Sequence, residues 1–340
     1  MLTLAHCASA EPEPSEPPSE TDAAEVDDTP TPPRDAGRDA RTTTPLDARV
    51  PDETPRDASA PVVEDARTPD VPKPDASLPP VPASTFPAVT DTAAAGPFKT
   101  KSYGMAGPNG GYTIHQPDPL GAEGRKHPLL TWGNGGGTTP GFYSMLPHLA
   151  THGFVVIAAN TIPSIGAEDA LGKDMVAGMD WLIAQDAVAG SEYAGKLDTA
   201  HVAAFGYSMG GLATFTILSD PRWITTVHIS GGNMGNGAQR IAKAHAPMFW
   251  SCGETDVAQP NCQTDFEAVT TQSVVYGTLL GADHLGILVP PADAKIRGAT
   301  TAWFRHYLMG DQAWKGTFAG ADCTLCKDSA TWKVLKKNYD

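Results

Sequence analysis

The sequence predicts an α/β protein with a mainly parallel central sheet flanked by helices, preceded by a long disordered tail. Three observations support this. From residue 97 onward, short apolar runs alternate with longer amphipathic runs, as strands alternate with helices in such proteins. About 240 residues without an internal repeat suit one domain. The first 96 residues have a composition that cannot build a core.

The tail is poor in the side chains that drive folding. Residues 1–96 contain 18 of the 31 prolines, no Trp or Tyr, and one aromatic residue, Phe86. They also carry 19 acidic against 7 basic residues, which is −12 of the total charge of −15. Such a segment buries too little apolar surface to offset its ordering entropy. We therefore expect a disordered acidic tether at 8–93, a passive spacer rather than a binding tail, and a folded domain at 94–340.

The folded part is close to neutral, with 20 acidic and 17 basic residues after position 96. Its charge predicts neither a nucleic-acid partner nor an acidic one. No run approaches the eighteen or so apolar residues of a membrane-spanning helix. We expect a monomer.

The extreme N-terminus, "MLTLAHC", resembles the end of a lipoprotein signal peptide, in which Cys7 becomes the lipidated first residue. It lacks a charged n-region and a full apolar h-region. Residues 1–7 thus predict either a remnant of such a signal, with membrane anchoring through Cys7 at the cell surface, or a terminus without a role.

The elements of the domain follow in order. Buried strands are predicted at "PLLTW" and "FVVIAAN", with a helix at "YSMLPHLATHG" between them. The next run, 168–187, places Leu171, Met175, Met179 and Leu182 on one helical face. There follow strand "HVAAFGYS", helix "MGGLATFTILSD", strands "ITTVHIS", "PMFWSC" and "SVVYGTL", and a closing helix around "ATTAWFRHYLM".

The run "GYSMG" indicates a reactive serine. A strand that turns at once into a helix forces the turn residue into a strained conformation, and side chains two positions away on either side would collide. Gly206 and Gly210 remove that collision around Ser208, so the pattern predicts a nucleophile elbow. The alternative is a glycine-rich turn with an incidental serine.

A serine hydroxyl needs a base and an orienting carboxylate, which in this kind of fold follow in the order Ser, acid, His at the ends of later strands. Asp256 follows strand "PMFWS" and His284 follows "SVVYGT". We predict Ser208, Asp256 and His284 as a catalytic triad. Other candidates for the acid and the base are ranked lower by position: Glu254, Asp265, Asp283, His127, His148, His152, His201, His228, His245 and His306.

An attacked carbonyl also needs hydrogen-bond donors for its oxyanion. The N–H of Met209, directly after the nucleophile, is predicted as one donor. The other is expected from the glycine-rich loop "WGNGGGTTPGFY", where we favour Gly135 over Asn134. The alternative is a flexible loop that does not contact substrate.

Four cysteines lie in the folded part, and an even number beside an export-like terminus favours disulfides, with three possible connectivities. The simplest pairs Cys252 with Cys262 and Cys323 with Cys326. The run "CTLC" could also form half of a zinc site or a redox pair, but no second CxxC accompanies it.

With these residues placed, the chain resembles the bacterial cutinases and poly(ethylene terephthalate) (PET) hydrolases, a branch of the α/β-hydrolase superfamily near the dienelactone hydrolases. The resemblance spans nearly all of 94–326. It is carried by "AAAGPFKTKSY", "LPHLATHGFVVIAANT", "TAWFRHYLMGDQAWKGTFAG" and, most specifically, "GKLDTAHVAAFGYSMGG".

The resemblance implies an α/β-hydrolase fold and a secreted serine esterase that needs no organic cofactor or metal and cleaves carboxylic esters, including polyesters. It also implies a disulfide near the C-terminus and one beside the active site. The sequence departs from the family at the first oxyanion position, usually aromatic, where "GNGGG" stands, and after the strand "VHIS", where a tryptophan is expected.

Asn134, Tyr207 and Phe142 are therefore the predicted substrate contacts, and Phe142 or Tyr143 would replace the missing aromatic group. The main hypothesis is a cutinase-like esterase that forms an acyl-enzyme. The alternatives are a carboxylesterase or lipase for small or lipid esters, and a surface-tethered binding domain without activity.

Overall fold

The computed structural model describes residues 84–321 and 323–340. The predicted lipoprotein-like terminus at 1–7 and the predicted tether up to residue 83 lie outside the described residues. Everything below concerns the described part of the chain.

A single sheet organises the domain. Within the described residues it has nine strands, in the order β1-β2-β4-β3-β5-β6-β7-β8-β9. Their bounds are β1 Thr100–Ala106, β2 Tyr112–Pro117, β3 His127–Gly133, β4 Val155–Ala159, β5 Leu197–Tyr207, β6 Trp223–Ile229, β7 Met248–Gly253, β8 Val274–Leu279 and β9 Trp332–Lys337. Strands β3 to β8 are mutually parallel, whereas β1, β2 and β9 run antiparallel to their neighbours. The predicted mainly parallel sheet is confirmed.

Helices cover both faces of this sheet. In the described residues they are α1 Met145–Thr151, α2 Glu168–Gln185, α3 Met209–Thr216, α4 Gly237–Ile241, α5 Gln259–Ala268, α6 Ala292–Met309, α7 Lys315–Phe318 and α8 Thr324–Lys327. The four residues predicted to form the apolar face of α2 are fully buried. They pack on Leu129 and Val155.

The other face of the sheet carries the larger core. Leu130 of β3 points away from α2 and joins Leu149 of α1 and Trp303 and Phe304 of α6. Successive strand residues thus fill two opposite cores, which is why the central strands read as unbroken apolar runs. The parallel strands β3 to β8 all end on the same side of the sheet, which we call its carboxyl edge. The loops that follow β5, β7 and β8 there carry Ser208, Asp256 and His284.

Residues in the range 84–93 make specific contacts with the folded domain. The tether was expected to run to residue 93, but Phe86 packs edge-on against Phe98 and His127. Thr92 is buried and its hydroxyl donates to the Gly298 carbonyl at 2.9 Å. The composition of residues 84–93 resembles that of the tail, but these specific contacts hold them on the domain.

None of the helices described at 84–321 and 323–340 is long and apolar enough to cross a membrane.

Candidate active site

Ser208 lies at the bend between β5 and α3. Its backbone has φ 53° and ψ −115°, which is the strained conformation expected of a nucleophile elbow. The bend is held by two backbone hydrogen bonds, from the Ser208 N–H to the Ile229 carbonyl at 2.8 Å and from the Leu212 N–H to the Ser208 carbonyl at 3.0 Å. The side chain is therefore presented at the carboxyl edge of the sheet.

The two flanking glycines allow this bend because the backbone is crowded. A Cβ atom on Gly206 would overlap the backbone of Gly210. A Cβ on Gly210 would overlap the backbone of Gly133 at the end of β3. Glycine is thus needed at both positions for a steric reason, as the sequence pattern predicted.

Three side chains from distant segments meet at this edge. His284, in the loop after β8, places Nε2 2.9 Å from Ser208 Oγ and Nδ1 2.6 Å from Asp256 Oδ1. Asp256 lies in the loop after β7. An ionised carboxylate only accepts hydrogen bonds, so Nδ1–H donates to Asp256 and Nε2 accepts from the serine hydroxyl. The His284 side chain is 25% exposed, whereas that of Asp256 is fully buried.

The environment of Asp256 favours its charged form. Burial by itself raises the pKa of this carboxyl, but hydrogen bonding to the His284 side chain and to the Ala258 N–H opposes burial, and the pKa is held below its usual range. The Ala258 N–H donates to Oδ1 at 2.7 Å. The site therefore keeps a fixed negative charge behind the imidazole.

A disulfide braces the loop that carries Asp256. Cys252 in β7 pairs with Cys262 in α5 across a Cα separation of 6.8 Å. The second pair, Cys323 with Cys326, lies near the C-terminus with a Cα separation of 5.2 Å. The structure thus has the simplest of the three possible connectivities.

The rival acids make other contacts. Glu254 accepts a hydrogen bond from the Gly281 N–H at 2.9 Å, and Asp283 accepts one from the Gly286 N–H at 2.6 Å. Asp265 is buried and accepts from the N–H and side-chain amide of Asn233.

The rival histidines are also occupied elsewhere. His201 bonds to Asp198, and His228 is buried between the Gly211 carbonyl and the Thr226 hydroxyl. Of the histidines in the described residues, only His284 hydrogen-bonds to Ser208.

The N–H of Gly135, predicted as an oxyanion donor, has a partner inside its own loop in this structure. Its N–H donates to the Tyr143 hydroxyl at 2.7 Å. The Thr138 hydroxyl donates to the Gly135 carbonyl at 2.7 Å and lies 2.5 Å from the Tyr143 hydroxyl. This closed hydrogen-bond ring uses the Gly135 N–H inside the loop.

Two of the predicted substrate contacts, Asn134 and Tyr207, have buried side chains in this structure. Asn134 is fully buried: its amide donates to the Ala159 and Thr161 carbonyls, and its oxygen accepts from the Trp132 indole. Tyr207 is 2% exposed, and its hydroxyl donates to the His284 carbonyl at 2.5 Å. Both residues support the site from inside.

Phe142 is 55% exposed, so its ring is available to substrate. The family model described as PET hydrolase-like (PETase) matches residues 79–333, about three quarters of the chain.

The chain belongs to the PET hydrolase-like family.

This confirms the resemblance predicted from the sequence and the α/β-hydrolase fold that it implied. Membership in the PET hydrolase-like family implies a hydrolase that acts on esters. Members of the family are typically secreted. Tyr143 and Tyr207 fill the space beside Gly135: a Cβ on Gly135 would lie 2.9 Å from the Tyr143 hydroxyl and 2.8 Å from Tyr207 Cδ1.

Phe142 is one of a set of exposed apolar side chains on this PET hydrolase-like domain, and sequence reasoning missed the others. We call this set the apolar rim; its members are Phe142, Ile162, Ile165, Met234, Val257 and Leu285. They lie in loops that follow β3, β4, β6, β7 and β8, at the same edge of the sheet as Ser208. A signal was present in the sequence, since Val257 directly follows Asp256 and Leu285 directly follows His284.

Proposed function

We propose that the protein is a serine esterase in which Ser208, His284 and Asp256 act as a catalytic triad through an acyl-enzyme. The observation that carries this proposal is the continuous chain of hydrogen bonds from Ser208 Oγ through the imidazole to the Asp256 carboxylate, at 2.9 and 2.6 Å. Both distances lie within the range required of a nucleophile and its general base.

In the first half of the reaction, Ser208 Oγ bonds to the ester carbonyl carbon as its proton moves to His284 Nε2. The carbonyl π electrons move onto oxygen and form a tetrahedral oxyanion. When the oxyanion collapses, the C–O bond to the leaving alcohol breaks and the alcohol takes the proton from Nε2. Asp256 stays ionised throughout and stabilises the transient imidazolium.

In the second half, water replaces the alcohol. Nε2 removes a proton from the water as its oxygen attacks the acyl carbon, and a second oxyanion forms. Its collapse breaks the bond to Ser208 Oγ, which recovers the proton from Nε2. The products are one carboxylic acid and one alcohol per ester cleaved.

The oxyanion lies at the start of α3 in this mechanism. The Met209 N–H belongs to the first turn, where a helix has no carbonyl of its own to accept it, and the helix dipole favours negative charge there. Since Tyr143 occupies the Gly135 N–H, we propose the N–H of the next residue, Gly136, as the second donor. Gly136 lies near Met209, because a Cβ on it would be 3.5 Å from Met209 Cγ.

The apolar rim supports a water-insoluble ester as the substrate. Six large apolar side chains around one reactive edge are costly to expose to water, and covering them with an apolar solid or chain would recover roughly 25 cal/mol per Å² of buried surface. We therefore propose polyester as the substrate class, with lipid or small esters as the alternative.

Replacing Ser208 with Ala tests the function. We expect hydrolysis of a p-nitrophenyl butyrate solution and of a polyester film to disappear, with the thermal unfolding midpoint nearly unchanged. Ser164→Ala is the matched control, because Ser164 is an exposed serine in the loop after β4 at the same edge. Retained turnover in Ser208→Ala would refute the triad, and turnover of soluble esters without film loss would favour the alternative substrate class.

A further inference from the structure

Tyr207 connects the two halves of the candidate site. It directly precedes Ser208, yet its hydroxyl donates to the backbone carbonyl of His284 at 2.5 Å. Its ring also faces the imidazole, with the two ring centroids 5.2 Å apart and tilted by 35°. One side chain on β5 therefore contacts both the backbone and the ring of a residue in the loop after β8.

The rest of the His284 loop is anchored on either side of the histidine. The Thr255 N–H and hydroxyl both bond to the Ala282 carbonyl, at 3.0 and 3.1 Å. After the histidine, the Gly286 N–H bonds to Asp283 inside the loop. Within 84–321 and 323–340, we find no other hydrogen bond to the His284 backbone than the one from Tyr207.

Tyr207 is itself held firmly. Its ring packs against Tyr143, with centroids 5.9 Å apart, and against the backbone of Gly135, where an added Cβ would lie 2.8 Å from Tyr207 Cδ1. Burial raises the pKa of the Tyr207 phenol. The hydroxyl therefore stays protonated and remains a donor at any pH at which the protein is folded.

We propose that Tyr207 is a positioning residue that holds the imidazole of His284 in line with Ser208. This rests on the proposed function of the triad. Ser208 and His284 are 76 residues apart in sequence and follow different strands, β5 and β8. The distance between Ser208 Oγ and His284 Nε2 therefore depends on the position of the His284 loop. A shift of about 1 Å in such a pair can cost about a hundredfold in rate.

Tyr207→Phe is the direct test, because it keeps the ring and removes only the hydroxyl. We expect kcat for p-nitrophenyl butyrate to fall about tenfold while KM changes less than twofold. Tyr112→Phe is the matched control: Tyr112 is buried, its hydroxyl donates to the Asp174 carbonyl at 2.8 Å, and it lies on β2, three strands from β5. It should lose similar thermal stability and no kcat.

A double variant separates positioning from general stability. In Asp256→Asn the imidazole of His284 is already out of alignment with Ser208. Adding Tyr207→Phe to that variant should therefore lower kcat by much less than the tenfold expected when the triad is intact. A purely structural contribution would multiply, giving the same tenfold loss in both backgrounds. Equal losses in both backgrounds, or a wild-type kcat in Tyr207→Phe, would overturn the inference. Absence of esterase activity in the wild-type protein would instead refute the proposed function.

Discussion

The backbone of Ser208 is held in a strained conformation that presents its hydroxyl at the candidate site. A non-glycine residue with positive φ stores about 1 to 3 kcal/mol of strain, and such strain persists only where the surroundings enforce it. Here the Ile229 carbonyl and the packing of Gly206 and Gly210 enforce it. As a result, the Ser208 hydroxyl at the end of β5 faces the imidazole of His284 rather than the core.

At Asp256 the residue type decides the tautomer of the base. Asp256→Asn would replace an oxygen that only accepts with an amide that can donate, so that Nδ1 of His284 would no longer be held as the donor. We expect kcat to fall about 10³- to 10⁴-fold. The measurement is steady-state hydrolysis of p-nitrophenyl butyrate by proteins matched for thermal midpoint.

Asp283→Asn is the control for that change, because Asp283 adjoins His284 in sequence and its carboxylate accepts from the Gly286 N–H in its own loop. It should change kcat less than threefold, since its contribution is local. If Asp256→Asn lost less than tenfold, another carboxylate would have to orient the imidazole.

The residue scale also shows the limit of sequence reasoning. Chain order and strand ends were enough to select Ser208, Asp256 and His284, because the pattern of buried strands fixes which loops share an edge. The roles of Asn134, Gly135 and Tyr207 could not be read in this way. Each depends on a hydrogen-bond partner from another segment, such as the Tyr143 hydroxyl or the Ala159 carbonyl.

At the scale of elements, the loop after β3 depends on which of its glycines is crowded. Gly135→Ala would place Cβ 2.8 Å from Tyr207 Cδ1 and 2.9 Å from the Tyr143 hydroxyl, so the hydrogen-bond ring or Tyr207 must move. Gly136→Ala would place Cβ 3.5 Å from Met209 Cγ and 3.8 Å from the Pro163 carbonyl oxygen, and both are ordinary van der Waals contacts. We expect Gly135→Ala to lower the free energy of unfolding by about 1 to 3 kcal/mol and to reduce kcat. Gly136→Ala should keep its stability.

Urea unfolding and ester hydrolysis of the two variants check this pair. The two substitutions add the same methyl group to neighbouring glycines, so each is the control for the other. Equal stability of both variants would show that the loop yields at Gly135 and that Tyr143 does not fix it.

The elements that sequence reasoning missed are chiefly at the margins of the sheet. The sequence of β9 is "WKVLKK", and its lysines break the apolar pattern by which a strand is predicted. An outer strand pairs with one neighbour only and tolerates charged side chains. β1 and β2 form an antiparallel extension at the other edge. The predicted central strands were recognisable because they are buried on both faces, whereas edge strands take their structure from a neighbour.

At the scale of the whole molecule, the boundary of the domain is set by side chains from helices far along the sequence. His148 and His152 in and after α1 bond through Nε2 to the Thr92 and Ala94 carbonyls, at 2.9 and 3.0 Å. The buried guanidinium of Arg305 in α6 donates to the Pro87 carbonyl at 2.9 Å. Composition alone assigned residues 84–93 to the tether because their hydrogen-bond partners Gly298, His148 and Arg305 lie more than fifty residues away.

Four buried histidines, with His148 and His152 among them, make the stability of the whole domain sensitive to acid. Burial lowers the pKa of His115, His148 and His152 to about 4, and that of His228 to about 3. Each is neutral when folded, whereas the unfolded chain takes up protons near pH 6.5. Stability is therefore complete above pH 6.5 and is lost as the pH falls toward 4, at about 1.4 kcal/mol per histidine per pH unit.

Urea unfolding from pH 8 to pH 4.5 should show this loss, and the variant His148→Gln/His152→Gln should lose less, because glutamine offers an N–H to the same carbonyls but does not titrate. Its slope with pH should be smaller by two protons. His245→Gln is the control, since His245 is exposed and meets water in both states. If the double variant kept the wild-type slope of unfolding free energy with pH, protons taken up by other groups would have to drive acid unfolding. The two imidazoles would then hold residues 84–98 without limiting the pH range in which the domain is folded.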